Sequence, residues 1–237
     1  MSAPPDVVYI TKMADHNPEL RHSLRSLKNV PHSGVWMSGY RPKWVSHDVG
    51  HINIQQRKNK YESAEANLRA ACAHPEVSER FYLFNDDFFV MQPVDEIPML
   101  HMGSVDDWVD YYVNAGSNRY VLGLRGTIDL MRDRLHVREP YLFYGIHIPM
   151  PIEKSKMAEV LAAADAHRRD IICLHKRTLY GNYWRVGGRL SRDFKVMGTS
   201  QAYTDKTFIS TTDSAFDHHL VGRHIRRAFP SKSPYER

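Results

Sequence analysis

The sequence predicts an α/β domain with a mostly parallel central sheet flanked by helices, and three observations lead there. Val7-Val8-Tyr9-Ile10, Pro18 to Leu27 and Gly34-Val35-Trp36-Met37 read in turn as strand, helix and strand. Such a β-α-β unit favours parallel pairing. Phe81-Tyr82-Leu83-Phe84 is an apolar, aromatic run of strand length. The 237 residues fit one large α/β domain, and 42% hydrophobic residues are enough for a sizeable core.

The elements follow in order. Val7 to Ile10, directly after a Pro-rich start, is the first buried strand. Leu20, Leu24 and Leu27 recur at i, i+4 and i+7, with Asn17 as N-cap and Pro18 at the first helical position. Ser38-Gly39 closes the second strand. A helix rich in Ala, Glu and Leu is expected from about Ser63 to Ala73, and Ser78 to Arg80 leads into the Phe81–Phe84 strand. Trp108 to Val113 and Tyr120 to Leu124 are weaker signals, the first fitting a helix or an edge segment. Glu153 to Arg168, with Ala162-Ala163-Ala164 at its middle, is a strong helix. Phe194 to Met197 and Thr207 to Ser210 are strand-like, and Ser214 to Arg227 reads as a last helix. There is no internal repeat and no long linker, so residues 1–237 are expected to form a single domain.

Bulk properties narrow the classes. No run of 18 or more apolar residues exists, so no membrane-spanning helix is expected. The opening Met1 to Asp6 lacks the pattern of a signal peptide. Cys72 and Cys173 lie far apart without metal spacing, which points to a reduced, cytoplasmic setting. A formal charge of +5 and a pI of about 9.1 suit anionic ligands, nucleotides and nucleic acid alike. The basic residues are spread out, with mild clusters at Arg57-Lys58-Asn59-Lys60 and His224-Ile225-Arg226-Arg227. The histidines show neither an H-x-x-H nor an H-E-x-x-H pattern.

The chemistry concentrates at Asn85-Asp86-Asp87, which interrupts two apolar runs. Adjacent buried charges need a cation, an Arg or Lys, or solvent at a strand end. Asn85 and Asp87 stand at i and i+2 and point to one side of a strand. That makes them a variant of the D-x-D arrangement, in which carboxylates hold a divalent ion against a diphosphate. The bland alternative is a solvated turn, which would not need carboxylates between two buried segments.

Glu65-Ala66-Asn67-Leu68 followed by Val77-Ser78-Glu79-Arg80-Phe81-Tyr82-Leu83-Phe84-Asn85-Asp86-Asp87-Phe88-Phe89 resembles the second conserved region of the Stealth family. Those are sugar-phosphate transferases of capsular polysaccharide synthesis and lysosomal enzyme tagging. Asp6-Val7-Val8-Tyr9 is similar to the family's opening strand, His147-Ile148-Pro149-Met150 to its H-x-P segment, and Arg177-Thr178 to a site around a downstream Arg. The resemblance covers about half of the chain, in pieces whose order is shared. It departs at Tyr9-Ile10-Thr11-Lys12-Met13-Ala14-Asp15, where the family has T-W-V-D-G. It implies a catalytic core of the GT-A glycosyltransferase type in a compact bacterial or bacteriophage form, the latter acting in the host cytoplasm. It also implies a nucleotide-binding half over about 1–95 and an acceptor-binding half over about 96–237.

With the resemblance, individual residues take expected roles. Thr11 and Lys12 end the first strand, where open α/β sheets bind ligands. Lys60 precedes a helix start and suits a diphosphate, or else belongs to a basic surface loop. Arg25 has three readings, a phosphate contact, a solvated helix face, or an ion pair with Glu19 or Asp15. Glu65 is lifted to a candidate base by the resemblance alone. His147 is a candidate third metal ligand beside Asp87 and Asp86, or a contact to transferred phosphate. Lys154, Lys156, His175 and Arg177 are candidates for diphosphate contact or plain surface residues. Tyr180-Gly181-Asn182-Tyr183-Trp184 looks aromatic around a turn, suited to stacking on a sugar or base or to core packing. Asp193 is a further candidate acid.

The expected activity is metal-dependent transfer of a sugar from a nucleotide-sugar to an acceptor hydroxyl of a protein, glycan or modified DNA. Mg²⁺ or Mn²⁺ would steady the leaving nucleoside diphosphate, and Glu65 or Asp86 would act as base. Attack on the β-phosphorus, transferring sugar-1-phosphate, would use the same site. The rival is a basic nucleic-acid-binding protein, although no helix-turn-helix, zinc-finger or RRM signature is present.

Overall fold

The computed structural model describes residues 3–14, 17–57, 59–116, 118–167, 171, 173–198 and 202–237. Its elements run β1 (Asp6–Thr11), α1 (Pro18–Ser26), β2 (Val35–Gly39), β3 (Gly50–Ile52), α2 (Lys60–Ala73), β4 (Arg80–Phe84), β5 (Phe88–Val90), β6 (Leu100–His101), α3 (Val105–Asn114), α4 (Asn118–Asp129), β7 (Met150–Glu153), α5 (Lys154–Asp165), α6 (Lys176–Tyr183), β8 (Arg189–Leu190), β9 (Lys195–Val196), β10 (Phe208–Thr211), α7 (Asp213–His218) and α8 (Leu220–Ala228).

The central sheet has the order β3-β2-β1-β4-β7, parallel except for β7, and is flanked by helices. Its inner strands are near-continuous apolar runs because both faces are covered. At the amino end, the buried Asp6 carboxylate accepts from Gly34 N at 2.9 Å, Trp36 Nε1 at 3.0 Å and Ser78 N at 2.8 Å. One side chain thus joins β1, β2 and the approach to β4.

A second sheet, β5-β10-β9, hangs from the first by the three residues between β4 and β5. Side chains alternate along β5. Phe88 and Val90 enter the main core, whereas Phe89 joins Ile209, Phe216, Val221, Ile225 and Phe229 in a smaller core beneath α7 and α8. The free edge of β5 is satisfied by α1 and the turn after it. Ser23 Oγ donates to Phe88 O at 2.5 Å, Val90 N donates to Ser26 Oγ at 3.1 Å, and Asn29 Nδ2 donates to Val90 O at 2.8 Å.

Several elements differ from expectation. The strands β3 and β7 carry too few residues for a pattern to show. The helix α2 starts at Lys60, three residues early, because the Asn59 side chain accepts from Tyr61 N and Glu62 N. Both weak segments, Trp108 to Val113 and Tyr120 to Leu124, are helical, in α3 and α4. Gly181-Asn182 lies inside α6 rather than in a turn. The Asn182 amide bridges both backbone groups of Leu142, and Gly181 abuts the Tyr144 ring, 2.3 Å from where a Cβ would stand. The expected last helix breaks at the extended His219 into α7 and α8. Arg168, the expected end of the helix that α5 forms, lies outside the described residues, as do Asp15 and Lys58. Cys72 and Cys173 are free, buried thiols, and no helix among the described residues is long and apolar enough to cross a membrane.

Candidate functional site

A cavity of about 660 Å³ lies at the carboxyl ends of β1 and β4. This is where the strand order reverses direction along the chain, the usual ligand crevice of an open α/β sheet. It gathers Thr11, Lys12, Lys60, Asn85, Asp86 and Asp87 from the first part of the chain. Lys195, Thr211, Asp213 and Asp217 complete its wall from the last part, so both halves of the chain build it.

The Asn85-Asp86-Asp87 turn owes its position to the two strands it joins. Asp87 Oδ2 accepts from Lys195 Nζ and from Ser210 Oγ, each at 2.9 Å. Asp86 Oδ2 accepts from Asn17 Nδ2 at 2.6 Å, while Asn17 Oδ1 caps α1 by accepting from Leu20 N at 2.9 Å. One amide thus serves the helix start and the carboxylate together. Burial, and then the charge of Asp87, push the Asp86 carboxyl above its ordinary pKa; the Asn17 bond and the Lys12 ammonium act the other way.

The remaining walls are as specific. The Thr11 hydroxyl is committed to the backbone, donating to Tyr40 O at 2.6 Å. Lys12 and Lys60 are exposed at the rim, Lys60 as the first residue of α2. Asn67 is buried about two turns further along α2, with Nδ2 donating to Thr11 O at 2.8 Å. Its Oδ1 finds no hydrogen-bond partner among the described residues. Glu19, at the second position of α1, is 6% exposed and accepts from Thr211 Oγ1 at 2.5 Å. Neither Asn67 nor Glu19 is singled out by its sequence surroundings as a site residue. A helix Asn and a helix Glu look solvated until the tertiary fold turns them inward.

A smaller cavity of about 200 Å³ adjoins the first and shares Ile10, Ala64 and Asn85 with it. His147 and Arg177 line this one. His147 Nδ1 pairs with Asp193 Oδ2 at 2.8 Å, and its backbone N–H donates to Asp193 Oδ1 at 2.9 Å. Burial works to raise the Asp193 carboxyl, but the bonds from His147 outweigh it and hold the group below its usual value. The Arg177 guanidinium donates to Ile146 O at 3.1 Å and Ile148 O at 2.8 Å and covers the Phe88 ring. Burial pulls its pKa down to about 10, which leaves it charged at neutral pH.

Other expected residues lie elsewhere. Arg25 is not a cavity residue: its guanidinium clasps Glu236 through Nε–Oε1 at 2.7 Å and Nη2–Oε2 at 2.9 Å. The ion-pair reading thus holds for Arg25 with a different partner. Glu65 is on α2 but does not line the cavity; its Oε1 accepts from Arg69 Nε at 2.8 Å, and Arg69 reaches on to Asp165 of α5. Lys154 donates to the carbonyls of His74 and Val77. Lys156 pairs with Glu153 at 2.7 Å on the surface. His175 donates to Tyr120 O at 3.1 Å, and burial lowers its pKa to about 4, so it is neutral and unsuited to hold an anion by charge. Tyr180 and Trp184 are packing residues that bond Glu153 N and Lys156 O.

Among the described residues, no group of three or more His, Cys, Asp or Glu side chains is gathered as a ready metal-ligand set. His147 is on the second cavity, and Asp87 carries the Lys195 ammonium. No family model matches the chain, and no curated protein matches it.

Proposed function

We propose that the chain is a nucleotide-sugar-dependent glycosyltransferase, moving a sugar to an acceptor hydroxyl. One observation carries the reading: carboxylates and ammonium groups meet in a single cavity at the reversal point of a mostly parallel sheet. Lys12, Lys60 and Lys195 supply positive charge for a diphosphate, and α2 directs its amino end there. Asn67 Oδ1 offers an acceptor to a ribose hydroxyl or base N–H. Asp86 and Asp87, with Asn85 beside them, would hold Mg²⁺ or Mn²⁺, which bound there supplies charge for the leaving diphosphate. The resemblance of the Asn85-Asp86-Asp87 region to the Stealth family agrees with this chemistry.

The test is turnover of uridine, guanosine and thymidine diphosphate sugars with Mn²⁺, Mg²⁺ or chelator, on the wild type and on Asp87→Ala. Metal-dependent release of a nucleoside diphosphate, reduced a hundredfold or more in the variant (roughly 3 kcal/mol, the scale of a lost electrostatic contact), is expected. Release of nucleoside monophosphate would instead identify sugar-1-phosphate transfer. No binding of any donor would overturn the reading.

A further inference from the structure

The cavity contains one carboxyl whose surroundings differ from those of the Asp86-Asp87 pair. Glu19, on α1, lines the same cavity as that pair. Thr211 of β10 donates to its Oε1, and the charges of Asp87 in the β4–β5 turn and of Asp213 at the start of α7 act on it. The nearest cations in the cavity are Lys195, paired with Asp87, and the rim residues Lys12 and Lys60. Asp217 adds a further acidic group from α7, and His22 follows one turn along α1.

We infer that Glu19 is the acid–base residue of this cavity and takes the proton of the attacking hydroxyl, an inference that rests on the transferase reading above. The step balances simply. The acceptor oxygen forms its bond to the anomeric carbon while its proton passes to a Glu19 carboxylate oxygen. The bond from the anomeric carbon to the diphosphate breaks, its electron pair leaves with the nucleoside diphosphate, and Glu19 returns the proton to solvent.

Asp213 and Asp217 are exposed, and the other carboxylates are committed or lie elsewhere. Asp86 is tied to Asn17, Asp87 to Lys195 and Ser210, and Glu65 lies outside the cavity. Burial raises the Glu19 pKa to about 8, with the Asp87 and Asp213 charges adding to it and the Thr211 bond opposing it. A base near the working pH combines adequate basicity with an adequate ionised fraction.

The experiment measures donor binding and the pH dependence of kcat for hydrolysis, with water as acceptor and the same diphosphate-sugar panel. The proteins compared are wild type, Glu19→Gln and Thr211→Val. In the wild type kcat rises with pH to a plateau. In Glu19→Gln the rise disappears and kcat falls a hundredfold or more, with donor affinity kept. In Thr211→Val the inflection moves to higher pH, because the lost bond favoured the ionised form. A wild-type profile and rate in Glu19→Gln, or an unmoved inflection in Thr211→Val, overturns the role of Glu19 while the transferase reading stands. A wild type that processes no donor overturns both.

Discussion

Two carboxyls in one cavity are both harder to ionise than their type, for different reasons. For Asp86 the reasons are burial and an adjacent Asp; for Glu19 they are burial and carboxylates from other elements. The raised Glu19 value has a consequence for stability independent of any catalysis. The native state binds the Glu19 proton more tightly than the unfolded chain, so that contribution is full below the unfolded value of about 4.5 and is lost as pH rises through about 8. Urea midpoints at pH 5 and pH 9 should therefore show a fall in the wild type that Glu19→Gln lacks. The sequence marks Asn85, Asp86 and Asp87 plainly, because charges between two apolar runs have no other local explanation. It cannot mark Glu19 or Asn67, because a single polar residue on a helix carries no sign of which way the helix will face. Glu65 shows the converse. It sits two residues before Asn67 on α2, and that offset turns its carboxylate toward Arg69 and α5 instead of the cavity.

At the scale of elements, α1 holds most of the coupling. Its start braces Asp86 through Asn17, and its last turn satisfies β5 through Ser23 and Ser26 and grips the C-terminal tail through Arg25. Glu236 also receives Arg21 Nη1 at 2.8 Å and the Ser233 N–H at 2.9 Å. Arg25→Ala should lower stability by about 1–3 kcal/mol, the range for lost hydrogen bonds to a charged group, because Arg21 still compensates Glu236, while donor affinity stays unchanged; thermal unfolding and calorimetric titration check the two halves of that statement. The helix was legible because its leucines repeat with a clear period and Asn17-Pro18 marks its start. The partner of Arg25 was not, because it lies 211 positions away and nothing local announces the pairing. Elements of two to four residues, such as β3 and β7, were unreadable for a related reason: their pairing is set by the sheet they join.

For the molecule as a whole, the smaller core under α7 and α8 is the more fragile part, being built from few side chains around Phe89 and Phe216, whose rings stack at 5.7 Å. Phe216→Ala should cost about 3–5 kcal/mol, and hydrogen exchange should rise through β9, β10, α7 and α8 before it rises in the central sheet. The cavity would then lose the wall that holds Asp213 and Asp217. The link between the two sheets is the Asn85-Asp86-Asp87 turn, and the main chain passes from one core to the other through it. A molecule seated on that turn acts as a clasp across the seam. Occupancy at a hundred times the dissociation constant adds about 2.7 kcal/mol to the folded state, and that gain reaches both cores together. Melting temperature therefore becomes a detector for whatever fits the seam, one that needs no prior assumption about which bond the protein makes or breaks.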